Sequence, residues 1–267
     1  MYPGGKAMPK AVLFDLDGVF YQGETPVPGA AEVAAWCRQE RIPHLYLTNT
    51  TSRSRADLAA RLAAMGLPIE EARILTPAMV AVRWLQEQGI HDAALFVPRS
   101  TRDDFREISI ASDDAESTGA VLVGDLGREW DFSTLNRAFR LLLTADPPPL
   151  IALGMTRYWH AADGLRLDVG PFVVALEYAT DVRATILGKP AAPFFHAALQ
   201  LAGSAPGETV MVGDDIRGDV EGAQKAGIQG ILVRTGKFRP GDLQLDIRPD
   251  AVLGSVAEFP AWWAGSP

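Results

Sequence analysis

The stretch Ala11-Val12-Leu13-Phe14-Asp15-Leu16-Asp17-Gly18 decides the fold. Four apolar residues read as a buried strand. A strand that ends in two carboxylates one residue apart delivers acidic groups to the carboxyl edge of a sheet, where open α/β folds build their sites. Asp15 and Asp17 are therefore the leading candidates for chemistry. A calcium-loop reading fails, because an EF-hand needs further oxygen ligands at fixed spacing and a terminal Glu, and Val19-Phe20-Tyr21 interrupts that pattern.

Working outward, short apolar runs recur at Leu45-Leu47, Leu95-Val97, Val121-Val123, Ile151-Leu153, Val210-Val212 and Ile231-Val233. Between them Leu58, Leu62 and Met65, and again Phe132, Leu135, Phe139 and Leu142, fall at helical spacing. Strands alternating with helices predict an α/β protein with doubly wound parallel sheets. The stretch from Pro77 to Arg183 carries its own alternation and none of the acidic signatures on either side. Pro147-Pro148-Pro149 reads as a connection inside it, between a helix ending near Thr144 and a strand at Leu150. The expected organisation is an inserted domain over 77–183, with 1–76 and 184–267 folding together as a discontinuous core.

The 267 residues suffice for one large or two modest domains, and 48% hydrophobic with 22% charged residues suits a soluble globular chain. A formal charge of −8 without any Lys/Arg run argues against nucleic acid or an anionic membrane as the main partner, so any phosphate must be handled in a locally positive pocket. Cys37 is the only cysteine, which excludes an intrachain disulfide and fits a reducing compartment, the cytoplasm. Beside Trp36 it reads as a small buried residue rather than a reactive thiol. Met1 to Lys10 hold no apolar core for a signal peptide, and Met8 suggests that the preceding residues are a dispensable leader.

Three further segments complement the first: Thr48-Asn49, Gly188-Lys189-Pro190, and Gly213-Asp214-Asp215 with Asp219 four residues on. Carboxylates at two strand ends suit a Mg²⁺ that keeps waters and accepts a phosphate oxygen. Such carboxylates repel one another in a partly buried cleft unless a cation joins them, and Lys189 supplies a second positive charge. Thr48 and Asn49 are placed to hydrogen-bond phosphate oxygens. Together these groups meet the demands of phosphoryl transfer: a carboxylate nucleophile, a proton donor and positive charge around the equatorial oxygens.

The same residues resemble the haloacid dehalogenase superfamily of phosphatases. Asp15-Leu16-Asp17-Gly18-Val19 is similar to its first motif, Thr48-Asn49 to its second, Lys189 to its third, and Gly213-Asp214-Asp215 with Asp219 to its fourth. The long insertion resembles the C2-type cap of subfamily IIA. Leu167-Asp168-Val169-Gly170-Pro171-Phe172, Ala175-Leu176-Glu177-Tyr178-Ala179 and Val233-Arg234-Thr235-Gly236-Lys237-Phe238-Arg239-Pro240 resemble the phospholysine phosphohistidine inorganic pyrophosphate phosphatase branch. The resemblance implies a Rossmann-like core and a Mg²⁺-dependent enzyme in which Asp15 attacks phosphorus and Asp17 protonates the leaving group. It also implies that Asp15, the Asp17 carbonyl and Asp214 hold the metal, while Thr48, Asn49 and Lys189 hold the phosphoryl group. Asp215 and Asp219 either orient metal-bound waters and Lys189, or Asp219 caps a helix beginning near Val220. Relatives often carry a second Asn where this chain has Thr50-Thr51, so a role at position 50 does not transfer.

The implied substrate is a small phosphorylated molecule, pyrophosphate or a phosphoramidate. Sugar phosphate, pyridoxal phosphate and phosphoglycolate are alternatives that the core does not separate, and a receiver-like or non-catalytic phosphate binder is an alternative of another class. A homodimer is expected only from the resemblance. Gly154-Met155-Thr156-Arg157-Tyr158-Trp159-His160 suits either a substrate-facing loop or cap packing. His44, His91, His160 and His196 lack zinc-ligand spacing.

Overall fold

A computed structural model describes residues 8–161 and 163–265; the expected leader before Met8 lies outside the described residues. In chain order the strands are β1 (Ala11–Asp15), β2 (His44–Leu47), β3 (Ile74–Leu75), β4 (Asp92–Phe96), β5 (Ser109–Ile110), β6 (Val121–Val123), β7 (Leu150–Ala152), β8 (Thr185–Ile186), β9 (Thr209–Gly213), β10 (Gln229–Val233) and β11 (Ala251–Leu253). Two short antiparallel hairpins accompany them, Tyr21–Gln22 with Thr25–Pro26 and Tyr158–Ala161 with Gly164–Leu167.

The chain divides into two compact units. Unit one gathers the described residues of Met1–Thr48, Ala56–Leu75 and Lys189–Pro267. Its sheet has the order β11-β10-β9-β1-β2-β3, every neighbouring pair parallel. β1 lies between β9 and β2 and is buried at all five positions, as expected of a parallel strand covered on both faces. On one face Val12 and Phe14 meet Val33 and Cys37 of the helix Ala30–Gln39 and Leu58 and Leu62 of the helix Arg55–Ala64. Phe259 sets its ring edge-on to Phe14 at 5.2 Å, and Trp262 stacks on Phe259 at 5.7 Å, so the C-terminal aromatics close this core.

Unit two comprises Asn49–Arg55 and Thr76–Gly188. Its parallel sheet has the order β8-β7-β6-β4-β5, and its core gathers Phe96, Val121, Val123, Leu141, Leu150, Val173 and Leu176. Trp130 stacks on both Phe96 and Phe172. Asp131 begins the helix Phe132–Leu142 by accepting the Thr134 amide at 2.7 Å, the usual service of an acidic N-cap. The helical spacing is as read, but Phe132 at its start is 83% exposed while Leu142 is buried.

Two segments assigned to the core by sequence lie with unit two instead. Residues 184–188 do so because β8 pairs with β7 and the Leu187 amide bonds the Ala152 carbonyl at 2.9 Å. Residues 49–55 do so because Thr51 Oγ1 accepts the Asp125 amide at 2.9 Å and the Arg55 amide donates to Asp104 at 3.2 Å. Both segments are too short and too polar for apolar periodicity to place them.

Candidate active site

Strand register builds the site. Asp15 is paired with Leu47 on β2, which puts Thr48 one step beyond it, and Phe14 is paired with Val212 on β9, two residues before Asp214. Parallel strands end at the same edge, so Asp15, Thr48 and Asp214 leave the sheet side by side. Thr48 is buried, its amide donating to the Leu75 carbonyl at 3.1 Å. Asn49, its neighbour in sequence, falls in unit two.

After β9 the chain turns into a wide helix over Ile216–Glu221, in which the Val220 amide reaches back to the Asp215 carbonyl. Asp215 is its N-cap: its Oδ1 accepts the amides of Arg217 at 3.0 Å and Gly218 at 2.8 Å. Asp219 therefore does not cap a helix beginning at Val220. It is buried within the first turn and packs so closely over Gly213 that a Cβ there would strike its carboxylate.

Lys189 reaches into this cluster, its Nζ 2.6 Å from Asp15 Oδ1 and 2.7 Å from Asp219 Oδ1, with all three side chains buried. Burial alone would lower the Lys189 pKa, but the two carboxylates outweigh it and hold the ammonium well above its ordinary value. Asp214 is also buried. Its Oδ2 accepts the Lys237 amide at 2.6 Å, while its Oδ1 is buried without a hydrogen-bond partner. Burial, with Asp15 and Asp219 nearby, pushes Asp214 up to about 8. Burial and Asp15 push Asp219 up to about 6 against the pull of Lys189.

Asp15, Asp214 and Asp219 each present a carboxylate oxygen within 4.8 Å of the others. Three clustered carboxylates, one with an orphaned buried oxygen, fit a divalent cation by charge and by donor type. Asp17 is exposed, two residues beyond the strand end and bridged to Tyr21. Asp215, lowered despite its burial by the amide of Gly218 and by Lys237, pairs with Lys237 Nζ at 3.3 Å. Its carboxylate is thus engaged by the helix and by that lysine.

The sequence reading assigned no role to Lys237, Gly236 or Thr235, which converge on the same edge from β10. Their signal was the Thr235-Gly236-Lys237 run after an apolar strand, quoted only as a likeness. The aromatic segment of unit two forms one strand of an exposed hairpin, with Tyr158 54% and Trp159 40% exposed and Arg166 lying over the Trp159 ring.

Comparison with known proteins identifies the family of this parallel sheet with its two acidic strand ends and buried lysine. Residues 12–110 match the family described as haloacid dehalogenase-like hydrolase, and residues 186–259 that described as HAD-hydrolase-like. The chain is 37% identical over 265 residues to the human phospholysine phosphohistidine inorganic pyrophosphate phosphatase, covering 97% of this chain and 96% of that protein. It is 45% identical over 233 residues to the haloacid dehalogenase-like hydrolase domain-containing protein 2 of Bos taurus, covering 87% of each. Among solved structures, NagD from E. coli K-12 superposes with a TM-score of 0.85 at 26% identity over 94% of this chain and 98% of that one. The chain belongs to the haloacid dehalogenase-like hydrolases, as a phosphatase of subfamily IIA.

Proposed function

We propose that this phosphatase hydrolyses a small phosphorylated molecule, pyrophosphate or a phosphoramidate, through an aspartyl-phosphate on Asp15 and with Mg²⁺ as cofactor. The observation that carries the reading is the cluster itself: Lys189 bridging Asp15 and Asp219 beside the orphaned Asp214 Oδ1. The 37% identity to a protein named for phospholysine, phosphohistidine and pyrophosphate supports the substrate class.

In the first half-reaction an Asp15 oxygen forms a bond to phosphorus as the bond to the leaving group breaks, and Asp17 gives that group its proton. Asp17, at the exposed end of the loop, is placed to exchange protons with substrate and solvent. In the second, the Asp17 carboxylate takes a proton from water as the water oxygen attacks phosphorus, and the Asp15 carboxylate is released. Lys189 fixes the Asp15 carboxylate and offsets the charge gathering on the phosphoryl oxygens. Thr48 and Asn49 would complete the phosphoryl contacts. Asp15, the Asp17 carbonyl and Asp214 would hold Mg²⁺, which when bound polarises the phosphoryl oxygens. Asp219 acts by positioning Lys189. The discontinuous core would carry the chemistry and the inserted domain the substrate choice. The buried lone Cys37 supports a cytoplasmic setting, and among the described residues no helix is long and apolar enough to cross a membrane. The direct test is Mg²⁺-dependent phosphate release measured in parallel on pyrophosphate, a phosphoramidate, a sugar phosphate, pyridoxal phosphate and phosphoglycolate. Turnover that survives complete chelation of divalent ions would defeat the metal assignment, and preference for a carbon ester would defeat the substrate class.

The carboxylates also set a pH dependence. Without metal, Asp214 near 8 and Asp219 near 6 retain protons that the unfolded chain, with ordinary values of 3.8, has released. The folded state binds the extra protons, so stability of the metal-free protein falls as pH rises through that window. Asp214, as a proposed ligand, would give up its proton when a cation is bound. The rise in thermal midpoint on adding Mg²⁺ is therefore expected to be larger at pH 8 than at pH 6. A Mg²⁺ effect that is flat or shrinks over this range in differential scanning fluorimetry contradicts the account.

A further inference from the structure

The loop leaving β10 touches both acidic loops of unit one. Thr235 Oγ1 donates to the Gly18 carbonyl at 2.5 Å, and the Lys237 amide donates to Asp214 Oδ2 at 2.6 Å. Between these bonds the two backbones pass in contact. A Cβ on Gly236 would lie 2.5 Å from Gly18 Cα and strike the Asp214 carboxylate, and a Cβ on Gly18 would strike the same group. Both glycines have positive φ, +86° at Gly18 and +60° at Gly236, so a side chain there meets backbone strain as well as the clash. Asp214 is thus held through one oxygen by the loop and flanked by two glycines, with its other oxygen left for a ligand.

We propose that Thr235-Gly236-Lys237 is a positioning clamp that sets Asp214 and the Asp15–Gly18 loop together, aiming Asp214 Oδ1 at the cation and fixing the loop that carries Asp17. The proposal rests on the reading of Asp214 as a metal ligand. The clamp touches no reacting atom. It acts by removing freedom from groups that must be placed within a fraction of an ångström. Asp214 has its Oδ2 occupied by a backbone amide, which no side-chain rearrangement removes. Thr235 is the matching tie on the other loop, its hydroxyl holding the carbonyl next to Asp17.

The experiment measures Mn²⁺ binding in the absence of substrate, by the electron paramagnetic resonance signal of the free ion, together with kcat and KM for the best substrate of the screen. The proteins are wild type, Gly236→Ala, Thr235→Val and Thr235→Ser. Gly236→Ala is expected to weaken Mn²⁺ binding by about tenfold or more, the scale seen when groups supporting metal ligands are lost. Thr235→Val is expected to lower kcat by about 10- to 100-fold with KM little changed, and Thr235→Ser, which keeps the hydroxyl, to restore most of it. If Gly236→Ala does not fold, the Thr235 pair decides. Folded variants with unchanged Mn²⁺ affinity and kcat overturn the clamp, as does a Thr235→Ser protein as impaired as Thr235→Val. A wild type that turns over substrate but binds no Mn²⁺ overturns the metal reading and the clamp with it.

Discussion

Asp15→Asn is expected to abolish phosphate release, lowering kcat by about 10⁴-fold or more, on the scale of other nucleophile removals. An amide oxygen is a poor nucleophile toward phosphorus, and the neighbouring Asp219 is held by Lys189. The fold should survive. The amide oxygen still accepts from Lys189, and one acidic group leaves a cluster of three. In the absence of metal the thermal midpoint of Asp15→Asn is expected to match or exceed that of wild type, because like-charge repulsion in a buried site falls. Activity and midpoint together make the test sharp. A folded variant with wild-type turnover removes Asp15 from the mechanism, whereas an unfolded one shows that the carboxylate was needed for structure.

Lys189→Met should damage both activity and stability. Methionine fills a similar volume but leaves Asp15 and Asp219 buried without their cation, and orphaning a buried charge costs about 3–5 kcal/mol. The loss is expected to be largest at neutral pH and to shrink on acidification, where Asp219, whose carboxyl is already pushed up to about 6 by burial, escapes the penalty by taking up a proton. Added Mg²⁺ should recover part of the stability and little of the activity, since the cation restores charge balance without restoring the contact to Asp15. Urea unfolding at two pH values, with and without Mg²⁺, reads all of this. A stability loss independent of pH would mean that Lys189 contributes by packing alone.

The same groups show what could be read in advance. β1 and β9 announced themselves because a strand buried on both faces must be written in apolar residues, and the aspartates that end each run break that pattern abruptly. Lys189 was visible as a cation after a glycine between apolar stretches. Two-residue strands such as β3 and β8 were not, since two residues carry no period to detect. Asp215 and Asp219 stayed ambiguous in sequence because an N-cap and a buried ion-pair partner are both written as aspartate. Only the wide turn of the helix Ile216–Glu221 separates them, giving Asp215 to the backbone and Asp219 to Lys189. The Thr235–Lys237 loop escaped for a different reason: apart from the Lys237–Asp215 pair, its contacts to the acidic loops run through one hydroxyl, one main-chain amide and two missing side chains, and an amide has no letter in the sequence.

The pairing of β1 with β9 also fixes an order of assembly. Ala11 lies beside Thr209, and Lys10 closes an ion pair with Glu208, so the strand that carries the proposed nucleophile must find a neighbour made almost two hundred residues later. Contacts of such long separation form late, after the closure entropy of the intervening chain has been met. On the ribosome β1 waits while the whole of unit two emerges and has time to fold by itself. Under the proposed mechanism, a growing chain carries Asp15 on an unfinished sheet until Lys189 and Asp214 emerge, and catalytic competence waits for both.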